Sequence, residues 1–257
     1  MIITVDIGNT NVTVGGFREG QEPDFVERVP SLRNCSERHW LEVFRGILSP
    51  CVSEVEGCAL SSVVPELTGP VLFALKRLTE QPVVTVDADF DDGLILAGYD
   101  RKRLGNDRVV DAVAALAQYP APLAIFDLGT ATTLSVLDAE GRLIGGMILP
   151  GLRLSVSALS ARAAQLPEID LEAPQSLLGT DTVSCMQSGA VYGAAAQVDG
   201  LRERVEDLLG RPVTAVVTGG ASHLVLPYCK HPVCYDEYLL LKGLRLLYKR
   251  EQMKGQR

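Results

Sequence analysis

Apolar and polar positions alternate from the start of the chain. "IITVDIG", from Ile2, is a β-branched run that stops in a polar cluster, and "NVTVGGF" resumes the alternation at Asn11. That pattern predicts two strands joined by a tight turn at D-I-G-N-T-N. The same pattern returns in "LAIFDLGTATTLSVLD" from Leu123, where Asp127 aligns with Asp6, Gly129 with Gly8, Ala131 with Thr10 and Thr132 with Asn11 at a constant offset of 121 residues. Further strands are expected around residues 24–30 and 142–151, helical spacing in 37–48 and 152–166, and short apolar strands at 58–65 and 214–221. The chain therefore reads as two copies of a strand, strand, strand, helix, strand plan, an α/β protein built by internal duplication.

Three further helices are predicted. "RVVDAVAALAQY", 108–119, follows the capping residues Asn106 and Asp107. The segment 182–209 opens at Thr182 as N-cap and is poor in bulky residues around Gly189, Gly193 and Ala194, which would let a second helix approach closely, between subunits in particular. "YLLLKGLRLLYKR" forms a last amphipathic helix with a basic end that complements the helix dipole.

Composition narrows the picture. Aromatic residues make up only 5%, so the core must rest on Ala, Val, Leu and Ile. A net charge of −8 offers no basic surface for nucleic acid or anionic lipid, so an anionic ligand must be held by local groups. The opening "MIITVDIG" carries no basic segment ahead of an apolar stretch, and no apolar run approaches the roughly 20 residues of a membrane span. A cytoplasmic protein with no membrane partner is expected. Six cysteines at uneven positions do not make a disulfide framework, and Cys229, His231 and Cys234, with His223 six residues before Cys229, lack the C-x2-C spacing that a structural zinc site favours, so ordinary thiols are expected over a metal.

The repeated turn carries the candidate chemistry. Glycine lets backbone N–H groups converge on an anion. An aspartate at the strand end would repel phosphate unless a divalent cation lies between, which suggests nucleotide with Mg2+. A single D-x-G-x is ordinary hairpin chemistry; two copies favour paired phosphate sites. Gly219-Gly220, after an apolar strand, could pack on an adenosine, and Ser61-Ser62 stands at the matching place in the first half. Neither a P-loop nor a G-x-G-x-x-G turn is present. In "LGNDR", 104–108, Asp107 is either a general base or an N-cap, and Arg108 either a ligand for an anionic substrate or a solvated charge.

Taken in order, "DIGNTN" (6–11), "LGNDR" (104–108), "DLGTATT" (127–133), "GGMILPG" (145–151), "GTDT" (179–182), "MQSGAVYG" (186–193), "TGG" (218–220) and "LKGL" (241–244) resemble the type III pantothenate kinases of the actin and sugar kinase superfamily. The resemblance implies duplicated actin-like (ribonuclease H-like) domains, 1–119 and 120–257, each a mixed five-stranded sheet with flanking helices, and an active site in the cleft between them. It implies ATP-dependent phosphorylation of the primary hydroxyl of pantothenate to 4'-phosphopantothenate, the first step of coenzyme A biosynthesis, with Asp107 as general base. Asp6, Gly8, Asn9, Thr10 and Asn11 would cradle phosphate from one side, Gly129, Thr130, Ala131 and Thr132 from the other, with Gly219 and Gly220 near the adenosine. Asp6 would hold Mg2+ and Asp127 a monovalent cation, K+ or NH4+. Tyr99, Gly105, Asn106, Asp107 and Arg108 would contact pantothenate, joined in a homodimer by Thr180 of the partner subunit. Two alternatives stand beside this reading: a non-enzymatic transcriptional regulator on the same fold, against which the intact Asp6, Asp107 and Asp127 argue, and another small-molecule kinase of the superfamily.

Overall fold

The computed structural model describes residues 1–255 and divides the chain into two compact units. The first comprises Met1–Leu94, Tyr99–Ala117 and the chain from Tyr238 onward; the second comprises Ile95–Gly98 and Gln118–Glu237. The two-domain division expected at 119/120 lies close to the passage at Ala117/Gln118. The end of the chain departs from that expectation, because the last helix packs with the first sheet and not with the second.

In the first unit, β1 (Ile2–Ile7), β2 (Asn11–Phe17), β3 (Phe25–Pro30), β4 (Gly57–Ser62) and β5 (Val83–Val86) form one sheet in the order β3-β2-β1-β4-β5. The first three strands run antiparallel, while β4 and β5 join in parallel. Alternation along β1 sends Ile3, Val5 and Ile7 to one face. There they pack with Trp40 and Phe44 of α1 (Glu37–Leu48) and with Leu67, Val71 and Leu75 of α2 (Pro65–Thr79). Ile2 and Ala59 face the other way, onto Val110 and Val113 of α3 (Asn106–Gln118) and, through the final helix of the chain, Leu244, Leu247 and Tyr248. A side chain at Gly243 would meet Val110 O and the Ala114 methyl, so glycine there lets the final helix lie directly on α3.

The second unit repeats the plan. β6 (Leu123–Leu128), β7 (Ala131–Leu137), β8 (Leu143–Pro150), β9 (Thr214–Thr218) and β10 (Cys234–Tyr235) are ordered β10-β9-β6-β7-β8, with antiparallel hairpins at one side and parallel strands at the other. Phe126, Leu134 and Val217 pack with Leu152 of α4 (Leu152–Arg162) and with Val191, Ala195 and Val198 of α5 (Thr182–Leu209). The short helix α6 (Ser222–Val225) follows β9, and α7 (Leu239–Gly255) is the helix that returns to the first sheet.

Helix α5 begins at Thr182, but its cap is Asp181 and not Thr182. The Asp181 carboxylate accepts from Ser184 N at 3.0 Å and the Ser184 hydroxyl in turn accepts from Asp181 N at 3.1 Å, a reciprocal capping box. The Ser184 backbone N–H, and after it the Ser184 hydroxyl donating to Asp181 Oδ2 at 2.7 Å, hold the Asp181 carboxyl below its usual range. At α3, Asn106 and Asp107 lie inside the first turn and do not precede it.

Candidate phosphate turns and active-site carboxylates

The two turns share a strand-end aspartate and differ by one residue. Ile7 pairs with Val12 across the first hairpin, whereas Leu128 pairs with Thr132 across the second. The offset between copies is therefore 121 residues before the turn and 120 after it. Asn11 corresponds to Ala131, and Thr132 takes the place of Val12, with matching burial along both strands. Thr132 is accordingly only 6% exposed, unlike the solvent-facing Asn11 with which the ungapped alignment pairs it. A similar shift applies at the parallel strands. Asp6 pairs with Ser61 and Asp127 with Thr218, so Ser62, and not Ser61, is the counterpart of Gly219.

In the first turn, four backbone carbonyls are occupied. Ile7 O accepts from Val63 N at 3.0 Å, Gly8 O from Ser31 Oγ at 2.6 Å, Thr10 O from Ser31 N at 2.9 Å and Asn11 O from Gly8 N at 3.0 Å. With Ile7 O, Gly8 O and Thr10 O tied down from outside and Asn11 O held by Gly8 N, the turn is left to offer the N–H groups of Asn9 and its neighbours to a ligand, as an anion site requires. In the second unit, Gly151 stands where Ser31 does, one residue after the proline that ends the third strand. A Cβ at Gly151 would collide with the carbonyls of Gly129 and Thr130, so the chain can close on this turn only with glycine. Sequence reading gives neither residue a role at the turn, although "VPS" and "LPG" at an offset of 120 carry the signal.

Each carboxylate lies beside a glycine. Gly219, at φ +94°, leaves room for Asp127: any side chain there would meet Asp127 Oδ1 and the backbone of Leu128 at 2.6 Å. A Cβ on Gly129 would stand 3.4 Å from both oxygens of Asp127, and one on Gly8 would stand 3.8 Å from Asp6 Oδ2. Among the described residues no three His, Cys, Asp or Glu side chains gather as a metal cage. The donor chemistry at Asp6, one carboxylate at a turn rich in phosphate donors, fits an ion that completes its shell with phosphate oxygens and water, the habit of Mg2+.

Asp107 is the third carboxylate. By alternation Asp6 projects from the same sheet face as Ile2, the face that α3 covers. The head of α3 is fastened to the C-terminal end of β4, beside the end of β1, because Asn106 Nδ2 donates to Ser62 O at 3.3 Å. Asn106 is itself gripped by Arg101, whose Nη1 donates to Asn106 Oδ1 at 3.1 Å and whose Nε pairs with the buried Asp92 at 2.9 Å. Asp107 Oδ1 accepts from Arg108 N at 2.8 Å, and Gly105 gives it room, since a Cβ there would strike that oxygen. Burial pushes the Asp107 carboxyl above the ordinary carboxylate range against the opposing pull of the Arg108 N–H and charge. A carboxylate so placed has the enhanced proton affinity of a general base.

Arg108 is not a solvated charge. It is 7% exposed, and its guanidinium carbon stands 5.7 Å from the centre of the Tyr99 ring. The structure thus brings together Tyr99, Gly105, Asn106, Asp107 and Arg108 in the first unit. Thr180 is exposed and belongs to the second unit, at the mouth of a groove of about 720 Å3 between α4 and α5, lined by Val156, Leu159, Met186 and Gly189 among others. Gly220 follows Gly219 with open space around its Cα. Elsewhere in this unit, burial and the neighbouring Asp199 push the Cys229 thiol up to about 11, and His231 Nε2 lies 2.8 Å from Glu203.

The type III pantothenate kinase family model matches residues 2–204. The chain belongs to the type III pantothenate kinase family. Relatives of that name from Exiguobacterium sp. and Brevibacillus brevis are each 37% identical, covering 98% of this chain and 100% of their own length, and one from Solibacter usitatus is 33% identical with 97% of each chain covered. Among solved structures, a Campylobacter jejuni protein described as a Baf family transcriptional activator matches at a TM-score of 0.58 and 18% identity, over 98% of this chain and 99% of that one. A ROK family glucokinase from Streptomyces griseus matches at 0.52 and 16% identity, over 96% and 99%. These likenesses establish the duplicated actin-like fold for this member of the type III pantothenate kinase family. No helix among its described residues is long and apolar enough to cross a membrane.

Proposed function

We propose that this chain is a cytoplasmic enzyme that phosphorylates the primary hydroxyl of pantothenate with ATP, giving 4'-phosphopantothenate at the entry to coenzyme A biosynthesis. The observation that carries the reading is the desolvated Asp107 at the anchored head of α3, in a chain whose family is named for this reaction. Asp107 accepts the hydroxyl proton as the oxygen attacks the γ-phosphorus. Phosphoryl transfer asks little more of a protein than alignment and charge neutralisation.

Gly8, Asn9, Thr10 and Asn11 receive phosphate at the first turn; Gly129, Thr130 and the backbone of Ala131 do so at the second. Thr132 takes part through its place in the hairpin, its side chain being buried. Gly219 and Gly220 pack on the adenosine. Asp6 holds Mg2+, which neutralises phosphate charge when bound, and Asp127 holds K+ or NH4+. Tyr99 and the stretch Gly105, Asn106, Asp107 and Arg108 take pantothenate, with the buried Arg108 meeting its carboxylate.

A coupled assay of ADP release tests the whole reading. Turnover should appear only when pantothenate and a divalent cation are both present, should rise with K+ or NH4+, and should lose that rise in Asp127→Asn. ADP release indifferent to pantothenate would defeat it in favour of another substrate, and no ADP release under any of these conditions would favour a non-enzymatic role.

The homodimer belongs to this proposal. Leu154 and Leu159 on α4, and Leu177, Leu178 and Val183 about the start of α5, are exposed around the groove; Gly189 and Gly193 of α5 have open space where a Cβ would stand. A second copy of the chain covers this face and brings Thr180 of the partner subunit to pantothenate. Mixing the inactive variants Asp107→Asn and Thr180→Ala, with subunit exchange, then regenerates one intact site per heterodimer, about a quarter of parental activity for random pairing. No recovery in a mixture that mass measurement shows to be heterodimeric would place Thr180 outside the site.

A further inference from the structure

The first phosphate turn has a cation beside it to which no role is yet attached. Arg33, three residues after β3, donates from Nη2 to Asn9 Oδ1 at 2.8 Å. Both residues are exposed, and among the described residues Arg33 makes no ion pair with a carboxylate. The contact also determines the orientation of Asn9. A guanidinium offers only donors, so the amide atom facing it must be the oxygen, and the Asn9 NH2 is turned the other way. That nitrogen has no partner among the described residues.

For an anion site this orientation matters. With Oδ1 outward, Asn9 would present a lone pair to phosphate oxygens; with Oδ1 pinned by Arg33, it presents two N–H groups. The segment that carries Arg33 is itself held to the turn through Ser31, which bonds to both Gly8 O and Thr10 O. The repeat supplies an independent observation. Pro30-Ser31-Leu32-Arg33 after β3 is echoed by Pro150-Gly151-Leu152-Arg153 after β8, at the offset of 120 that the register of the strands gives, so an arginine follows each turn at the same place. Arg153 is likewise exposed and makes no ion pair among the described residues.

We propose that Arg33 is a positioning residue of the phosphate turn: it holds the Asn9 amide with its nitrogen toward the nucleotide and adds positive charge beside the bound phosphates. The inference rests on the proposed phosphate role of the turn. The plain alternative is an arginine that merely braces a surface loop, and the two differ in what its removal does to nucleotide binding.

The test is calorimetric titration of the full-length protein with ADP, for the parent, Arg33→Ala, Asn9→Ala and the double variant, alongside KM for ATP and for pantothenate. Each single variant should weaken ADP about tenfold, the size of one charge-assisted hydrogen bond. Because Arg33 acts through Asn9, the double variant should lose clearly less than the product of the two single losses. KM for ATP should rise, with kcat and KM for pantothenate little changed, and Arg33→Lys should recover part of the loss. Parental ADP affinity in Arg33→Ala, with Asn9→Ala impaired, overturns the role of Arg33 and leaves the turn as the phosphate site. Parental affinity in both overturns the phosphate reading of the turn as well. Full multiplicativity of the two losses means that Arg33 does not act through Asn9, and the proposal fails.

Discussion

Asp107→Asn is expected to lower turnover by about 10²–10⁴-fold, the usual contribution of a positioned general base. The change is close to isosteric. The amide oxygen can still accept from Arg108 N, so the head of α3 should keep its shape, and ADP should bind within roughly threefold of the parent. What is lost is the ability to take a proton. The pH profile adds a second signature. Burial raises the proton affinity of Asp107, and a base works only when ionised, so kcat/KM should fall as pH drops through a value above the ordinary carboxylate range. A coupled assay with pantothenate as acceptor reads both. Turnover within about threefold of the parent would remove Asp107 from the role of base.

Gly219→Ala should be the most damaging of the small substitutions. Two costs coincide: a backbone at φ +94°, which strains a residue with a side chain by about 1–3 kcal/mol, and a Cβ driven into the Asp127 carboxylate and the Leu128 backbone, worth about another 1–3 kcal/mol. Relief by repacking is blocked, because the contacts at Leu128 are main chain. At about 2–4 °C per kcal/mol for a protein in this size range, the melting temperature should fall by roughly 5–20 °C, with nucleotide affinity falling as Asp127 is displaced. Gly220→Ala, where a Cβ meets nothing within 4 Å, is the control. Equal thermal stability of the two variants would contradict the packing described for Gly219.

Much of this architecture was legible in the sequence because the chain states it twice. The D-x-G turns, the third strands and the bounds of α1, capped by Ser36, all follow from periodicity and local chemistry. What escaped was whatever depends on a partner distant in sequence. The turns align without a gap as "DIGNTN" and "DLGTAT", and only hydrogen-bond register shows that the second is a residue shorter, leaving Thr132 buried. Arg108 looks like a surface charge until Tyr99, nine residues earlier, supplies a ring for it to lie on. Helix α2 and strand β5 lacked a clear signal, the first starting at Pro65 with a second proline at Pro70, the second only four residues long. Threonine caps well, so the sequence points to Thr182 as the cap of α5; the neighbouring aspartate has the better acceptor and the reciprocal serine. The site residues stood out where two of them repeat, and Arg101, whose grip on Asn106 is purely tertiary, did not.

The return of α7 to the first sheet has a consequence for how the polypeptide is made. Ile2, Ala59 and Val86 leave the ribosome early, yet Leu244, Leu247 and Tyr248, which cover them, come almost last, after the whole of Gln118–Glu237. At about 5–20 residues per second, that interval is roughly 6–25 s, during which the part of this sheet face that α7 covers, beside α3, stays bare to water and to chaperones. The first unit to be synthesised is thus completed only at the end, and premature termination within the second unit would release a nascent chain whose first sheet has α3 but lacks α7 on that side.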